Sequence, residues 1–219
     1  MNCARIPQLL KLAQVQDEPW KNGAGTTQVV AAGPGWRISL AKVSSSSAFS
    51  VFEATGRHSI LLEGGPIELR SGQEMVALAP HTPARYRGDL QWECELRGKA
   101  ATVLNVMCQD GVATAAVRQS ESSRLPAGDG PHVVMPVGCS AECSSDDSAS
   151  PIVVGPGQVL VLRGQGAGWM FRMTGPRLDT RSAYVLSIQI MSIALGDAEV
   201  KQDQCSAMPG EGAAPFSPP

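Results

Sequence analysis

Alternation with a period of two, cut short every few residues by glycine or proline, constrains this chain more than any other feature. Successive side chains on a strand point to opposite faces. Trp36-Arg37-Ile38-Ser39-Leu40-Ala41, Ile67-Glu68-Leu69-Arg70 and Gln91-Trp92-Glu93-Cys94-Glu95-Leu96 therefore read as strands. Residues 60–62, 102–107, 133–135, 158–162 and 184–195 are largely continuous apolar runs, the pattern of strands buried on both faces. Gly33-Pro34-Gly35, Gly64-Gly65-Pro66, Ser71-Gly72, Gly88-Asp89 and Gly155-Pro156-Gly157 mark turns between them. Gly and Pro number 23 and 16, roughly 18% of the chain against an average near 12%. Helical periodicity is scarce; residues 7–16 carry its best instance, and it is weak. The pattern predicts an all-β sandwich or barrel.

The 219 residues carry 18 Lys+Arg against 20 Asp+Glu, a net charge of −2, and only 17% are charged. No basic excess is present to neutralise a phosphate backbone, so nucleic acid is not an expected partner. No apolar run reaches the roughly 18 residues of a bilayer span, so a membrane is not one either. The first residues, Met1-Asn2-Cys3-Ala4-Arg5-Ile6-Pro7, lack the apolar stretch of a secretory signal. A cytoplasmic protein is expected, with its six cysteines reduced. Cys94 and Cys108 lie in apolar runs and read as buried small hydrophobes, whereas Cys139 and Cys143 lie in a Ser/Asp-rich stretch that reads as a loop. Composition divides the chain into a first β half (1–118), a Ser/Gly/Asp-rich connection with one short strand (119–150), a second β half (151–201) and a disordered tail (202–219).

Three histidines, His58, His81 and His132, stand far apart, and none forms the H-x-H pair that a β-barrel metal centre needs. Each reads as a surface or turn residue, and neither a metal nor another cofactor is expected. Asn22-Gly23-Ala24-Gly25-Thr26-Thr27 is not a phosphate loop, because Lys21 precedes the glycines and β-branched residues follow. It reads as a tight turn into a strand, yet Trp20-Lys21-Asn22 sets a ring, an ammonium and an amide beside backbone N–H groups, which suits a small anion. No G-x-S-x-G elbow is present. Arg37 and Ser39 share one face of their strand, Arg57 precedes the apolar run 60–62, and Asn105 interrupts another. A buried amide must find hydrogen-bond partners, and a guanidinium fork matches a carboxylate. If these groups converge they describe a pocket for a small carboxylate. The alternative is an Arg37 that is exposed or paired with Glu, and an Asn105 that ties down neighbouring backbone.

Taken together the motifs resemble a known family. Pro19-Trp20-Lys21-Asn22-Gly23-Ala24-Gly25-Thr26-Thr27 is similar to the P-W-K-N-G-G-G-x-T opening of the HutD/Ves family. Trp36-Arg37-Ile38-Ser39-Leu40-Ala41-Lys42-Val43 resembles its W-R-x-S-x-A-x-V strand, and Phe49-Ser50-Val51-Phe52 its F-S-x-F. The segment from Arg57 to Gly64, the run Gly88-Asp89 with Cys94, Leu96 and Gly98, and Leu104-Asn105-Val106-Met107 follow in the family's order. The second half resembles the family in length and β pattern alone. Three positions depart: Ala24 replaces the middle glycine, Gly56 an acidic residue and Val103 an aspartate. The first implies an altered turn; the other two are expected to remove negative charge near the pocket.

The resemblance implies a bicupin, two small RmlC-like β-barrels packed together, without the usual metal ligands. It also implies association with histidine degradation as an accessory or regulatory protein. That pathway's intermediates are small carboxylates such as urocanate and formylated glutamate. The expectation is a metabolite-binding protein in which Arg37 and Arg57 hold carboxylate oxygens, Asn22 and Asn105 orient the polar body, Trp20 walls the pocket, and Lys21 and Ser39 complete it. The alternative is a metal-independent isomerase or hydrolase of a small carboxylate, which requires an acid/base within reach of the ligand. A homodimer is left open.

Overall fold

Each alternating or apolar run contributes a strand, because each finds a neighbour to take up its backbone N–H and C=O groups. The structure, a computed structural model, describes residues 6–128, 130–148, 150–164, 168–175 and 183–193. In chain order the first strands are β1 (Gln8–Lys11), β2 (Glu18–Pro19), β3 (Gly25–Gly33), β4 (Trp36–Val43), β5 (Ser47–Ala48) and β6 (Thr55–Glu63). There follow β7 (Ile67–Ser71), β8 (Glu74–Leu78), β9 (Ala84–Arg87), β10 (Glu93–Leu96), β11 (Ala101–Gln109) and β12 (Ala113–Ser120). The last are β13 (Ser122–Arg124), β14 (His132–Val137), β15 (Ser140–Ser145), β16 (Ile152–Val154), β17 (Gln158–Leu162), β18 (Trp169–Thr174) and β19 (Tyr184–Ser192). Among the described residues there is no α-helix.

The strands make four sheets. A six-stranded sheet, β2-β3-β4-β11-β6-β9, faces a four-stranded sheet, β5-β10-β7-β8. A five-stranded sheet, β1-β17-β14-β19-β12, faces another of four, β13-β18-β15-β16. Every named pairing is antiparallel, as expected for cupin halves rather than βαβ units. The two larger sheets pack back to back through Ile38, Leu40, Leu104, Val106, Val133, Met135, Leu186 and Ile188. This explains why β4 and β11 are buried on both faces: one face meets the other half, and the opposite one meets its own smaller sheet. Val43, Leu61, Leu69, Trp92 and Val103 fill part of the first half, while Val134, Ala141, Leu160, Phe171 and Val185 fill the second with hydrocarbon. The turn after β6 brings backbone so close that a Cβ on Gly64 would lie 2.2 Å from the Ala100 carbonyl, at a φ of +100°.

Several sequence expectations are corrected. Residues 7–16 form β1 and a single 3₁₀ turn (Leu12–Gln14), because β1 pairs along β17 from Gln8–Val161 to Lys11–Gln158. That long-range ladder overrides a weak helical pattern. Residues 119–150, expected as a connection with one short strand, carry the end of β12 and all of β13, β14 and β15. β1 and most of β12, which fall within the expected first half, pair with β17 and β19 of the second. Cys139 and Cys143 are buried rather than in an open loop; Cys143 lies on β15, and the Cys139 thiol donates to the Tyr184 carbonyl at 3.3 Å. Burial pushes the Cys94 and Cys108 thiols up to about 11 and that of Cys143 to about 12. The tail 202–219, Cys3 and Cys205 lie outside the described residues. Among the described residues no helix is long and apolar enough to cross a membrane.

Candidate functional site

Register on the six-stranded sheet decides which side chains meet. In the β4–β11 ladder Ser39 stands opposite Asn105 and Arg37 opposite Met107. In the β6–β11 ladder Ser59 stands opposite Asn105 and Arg57 opposite Met107. Two arginines therefore flank one position of β11 and two serines the next, all facing the smaller sheet. Above them the β2–β3 turn and the segment after β5 close a cavity of about 140 Å³. Its lining includes Trp20, Lys21, Asn22, Arg37, Ser39, Arg57 and Asn105, so all seven residues singled out from the sequence are brought to one place.

Lys21 and Asn22 sit exposed at the rim, where the Asn22 Oδ1 accepts the Ala24 N–H at 3.0 Å and shapes the turn. The Trp20 indole N–H donates to the Thr27 Oγ1 at 2.8 Å, and its ring meets Phe49 edge-on at 5.8 Å. Deeper in, Arg37 and Arg57 are 5% and 4% exposed, values far from the norm for guanidinium groups. Arg57 lies within cation–π distance of Phe49, Phe52 and Tyr86, at 5.5, 5.7 and 5.3 Å, and its Nη2 donates to the Asn105 Oδ1 at 3.4 Å. The carboxylate facing Arg37 is that of Glu18, at 4.0 Å, too far for a hydrogen bond. Burial lowers the Arg37 pKa; Glu18 opposes that shift and the neighbouring Arg57 adds to it. Among the described residues, Arg37 Nε, Arg57 Nε, Arg57 Nη1 and Ser39 Oγ are buried without a hydrogen-bond partner, as is the Glu18 Oε2 that faces Arg37.

The groups do converge on one cavity. Of the alternative reading, the pairing of Arg37 with a glutamate is present as a 4.0 Å ion pair with Glu18, while Asn105 holds side chains rather than neighbouring backbone. Arg37 is buried without a hydrogen bond to Glu18, and Asn105 accepts from Ser59 Oγ at 2.6 Å as well as from Arg57. Gly56 does not border the cavity: a Cβ there would lie 3.9 Å from Asp110 Oδ1, on the face of β6 opposite Arg57. Val103, with Ala41 and Leu61 as its neighbours across the ladders, lies in the apolar end of the same interior. Phe49 and Phe52, noted as a motif without a role, are walls of the cavity. Ser59 was legible from its spacing two residues after Arg57; Tyr86 had no sequence signal.

The histidines lie elsewhere. His58 is half-buried on the other face of β6, with a pKa lowered by burial and by Arg85. His81, at a φ of 58°, meets the Tyr184 hydroxyl at 3.0 Å where the halves join. His132, expected at a surface or turn, is instead a strand residue only 1% exposed, with a pKa lowered by burial. Among the described residues no three His, Cys, Asp or Glu side chains gather as a metal site would require.

Comparison with known proteins agrees with this architecture. A conserved protein of unknown function from Pseudomonas aeruginosa superposes with a TM-score of 0.74 at 22% identity, covering 85% of this chain and 99% of that one. HutD from Pseudomonas fluorescens gives 0.69 at 21%, with the same coverage. A cupin 2 conserved barrel domain protein from Leptotrichia buccalis gives 0.54 at 11%, covering 84% and 96%. At these identities the likeness establishes the all-β cupin fold. Two curated relatives match part of the sequence. An uncharacterised 21.2 kDa protein of the hutC 3′ region of Pseudomonas putida is 32% identical over 108 residues, 46% of this chain and 57% of that protein. Protein Ves of Citrobacter koseri is 31% identical over 110 residues, 47% and 58%. The chain thus spans less than three fifths of either relative's own length. The HutD family model, by contrast, matches residues 12–176 continuously, most of the sequence and all of the cavity's strands, and so the chain belongs to the HutD family.

Proposed function

We propose that this protein is a receptor for a small carboxylate metabolite and serves histidine utilisation as an accessory or regulatory protein. One observation carries the reading: buried donors on two adjacent guanidinium groups and on Ser39 have no hydrogen-bond partner among the described residues. An unsatisfied buried polar group costs about 1–3 kcal/mol and a charged one more, so such a cluster persists where a ligand completes it. A carboxylate offers two acceptor oxygens with the spacing of a guanidinium fork. Aromatic walls exclude water and strengthen the pairing, while the exposed Lys21 ammonium at the rim attracts anions towards the mouth. The tie to histidine utilisation rests on family membership and on the hutC-region relative.

Among the described residues the lining contains no His, Cys, Tyr, Asp or Glu, and its ionisable groups are Lys21, at the rim, and the two arginines. General acid–base chemistry needs a titratable group within about 3 Å of the reacting atom. Binding is therefore the better-supported reading than isomerisation or hydrolysis.

A thermal-shift series with urocanate, N-formylglutamate and glutarate tests the proposal. A ligand at a hundredfold excess over its Kd is expected to raise Tm by about 5–10 °C. The shift should persist in the neutral chelator 1,10-phenanthroline. Equal shifts with uncharged amides, or none with any carboxylate, would contradict it.

A further inference from the structure

Asn105 is held in one orientation by a hydrogen-bond relay that starts outside the cavity. Ser59 Oγ donates to Asn105 Oδ1 at 2.6 Å, and Ser59 Oγ and the Tyr86 hydroxyl are 2.8 Å apart. A serine hydroxyl has a single proton. Since Asn105 Oδ1 receives it, the Tyr86 O–H must be the donor to Ser59. Arg57 Nη2 approaches the same Oδ1 from the other side at 3.4 Å. Turning the amide over would set its NH₂ against the Arg57 N–H groups and reverse the relay. Neither bond uses Nδ2, and Asn105 lines the cavity. The amide therefore presents its donor end to a ligand. Asn22 behaves alike, its Oδ1 being engaged by the Ala24 N–H. With Arg37, Arg57 and Lys21, the charged and amide side chains lining the cavity present donors to a ligand, while the Ser39 and Ser50 hydroxyls can donate or accept.

From this we infer that Tyr86, which does not line the cavity, is a positioning residue. By donating to Ser59 it fixes Asn105 as a donor, and the site thereby distinguishes an ionised carboxylate from the corresponding carboxamide. The inference rests on the carboxylate-receptor reading and adds the source of its selectivity. A carboxylate satisfies donors on every side; a carboxamide turns its own NH₂ towards guanidinium and amide N–H groups and leaves both unpaired. Tyr86 also reaches Arg57 through its ring, at 5.3 Å, and that contact does not need the hydroxyl.

The test compares wild type, Tyr86→Phe and Ser59→Ala by calorimetry or chemical-shift titration with two matched pairs, glutarate against glutaramide and acetate against acetamide. Wild type is expected to prefer the acids by about 100-fold or more. Tyr86→Phe keeps the ring over Arg57 and loses only the relay's first donor. Its acid-to-amide preference is expected to fall by about tenfold, with Ser59→Ala at least as permissive and both variants unfolding cooperatively. A Tyr86→Phe protein with wild-type selectivity would overturn the inference. So would a uniform loss of affinity for acid and amide alike, which would mark Tyr86 as merely structural. Wild type that binds neither acid would instead overturn the receptor reading itself, and this inference with it.

Discussion

Arg57→Lys is expected to weaken carboxylate binding by about 100-fold or more while leaving the protein folded. Phe49, Phe52 and Tyr86 hold the guanidinium plane in place. A carboxylate forks onto it through the second N–H of Nη2, the first being given to Asn105, together with Nε or Nη1, neither of which has a hydrogen-bond partner among the described residues. Each charge-assisted hydrogen bond to a carboxylate is worth about 1.5–3 kcal/mol, and the planar fork makes two at once. Lysine keeps the charge and part of the cation–π attraction but delivers a single, mobile point charge. It also loses the Nη2 contact that helps hold Asn105. Calorimetry on the two proteins reads the difference directly. Equal affinity would show that charge alone matters and that the fork has no role.

Arg37→Met is expected to act on binding and stability in opposite senses. Loss of its guanidinium should weaken binding by roughly 10- to 150-fold, the equivalent of one charge-assisted bond. The same change should raise the stability of the unliganded protein by about 1 kcal/mol, or about 2–4 °C in Tm, because the Glu18 side chain, 40% exposed, can turn its one buried oxygen to water once Arg37 is gone. Three observations give this sign. Arg37 is 5% exposed with its Nε unpaired, its facing carboxylate on Glu18 is too distant to bond, and Arg57 repels it. The lowered Arg37 pKa says the same: folding disfavours the charged form, so the folded state bears a cost that methionine removes. Methionine also fills the space with an apolar chain of similar length. A less stable Arg37→Met protein would mean that Glu18 and its surroundings already satisfy the cation.

Strand patterning was legible because the physics is local: alternation in 36–41 and continuous apolarity in 102–107 follow directly from which faces are covered. The candidate site was legible to the same degree. Arg37 and Ser39 betray a polar face within a buried strand, and Asn105 is a lone amide in an apolar run. What the sequence alone could not supply was register. Only the pairing of β11 with both β4 and β6 sets Asn105 between Ser39 and Ser59, residues distant in the chain. Tyr86 arrives by a further pairing, β9 on β6, which nothing local foretells. The stretch 119–150 misled for a related reason. In β15 the small residues Ala141 and Cys143 are the buried ones, alternating with Ser140, Glu142 and Ser144, so a true strand has the composition of a loop. The strand at 8–11 likewise depends on a partner some 150 residues away and carries little periodicity of its own.

The central claim, that the buried guanidinium N–H groups are carboxylate receptors, can be read at the atoms concerned. Side-chain ¹H–¹⁵N spectra resolve the Nε–H of each arginine, and a glutarate titration can follow them individually. The account predicts that the Arg37 and Arg57 Nε–H signals move together and saturate with one binding constant, while those of the exposed Arg70, Arg97 and Arg172 stay in place. Saturable binding with the Arg37 and Arg57 signals unmoved, or no saturable change at all, would contradict it.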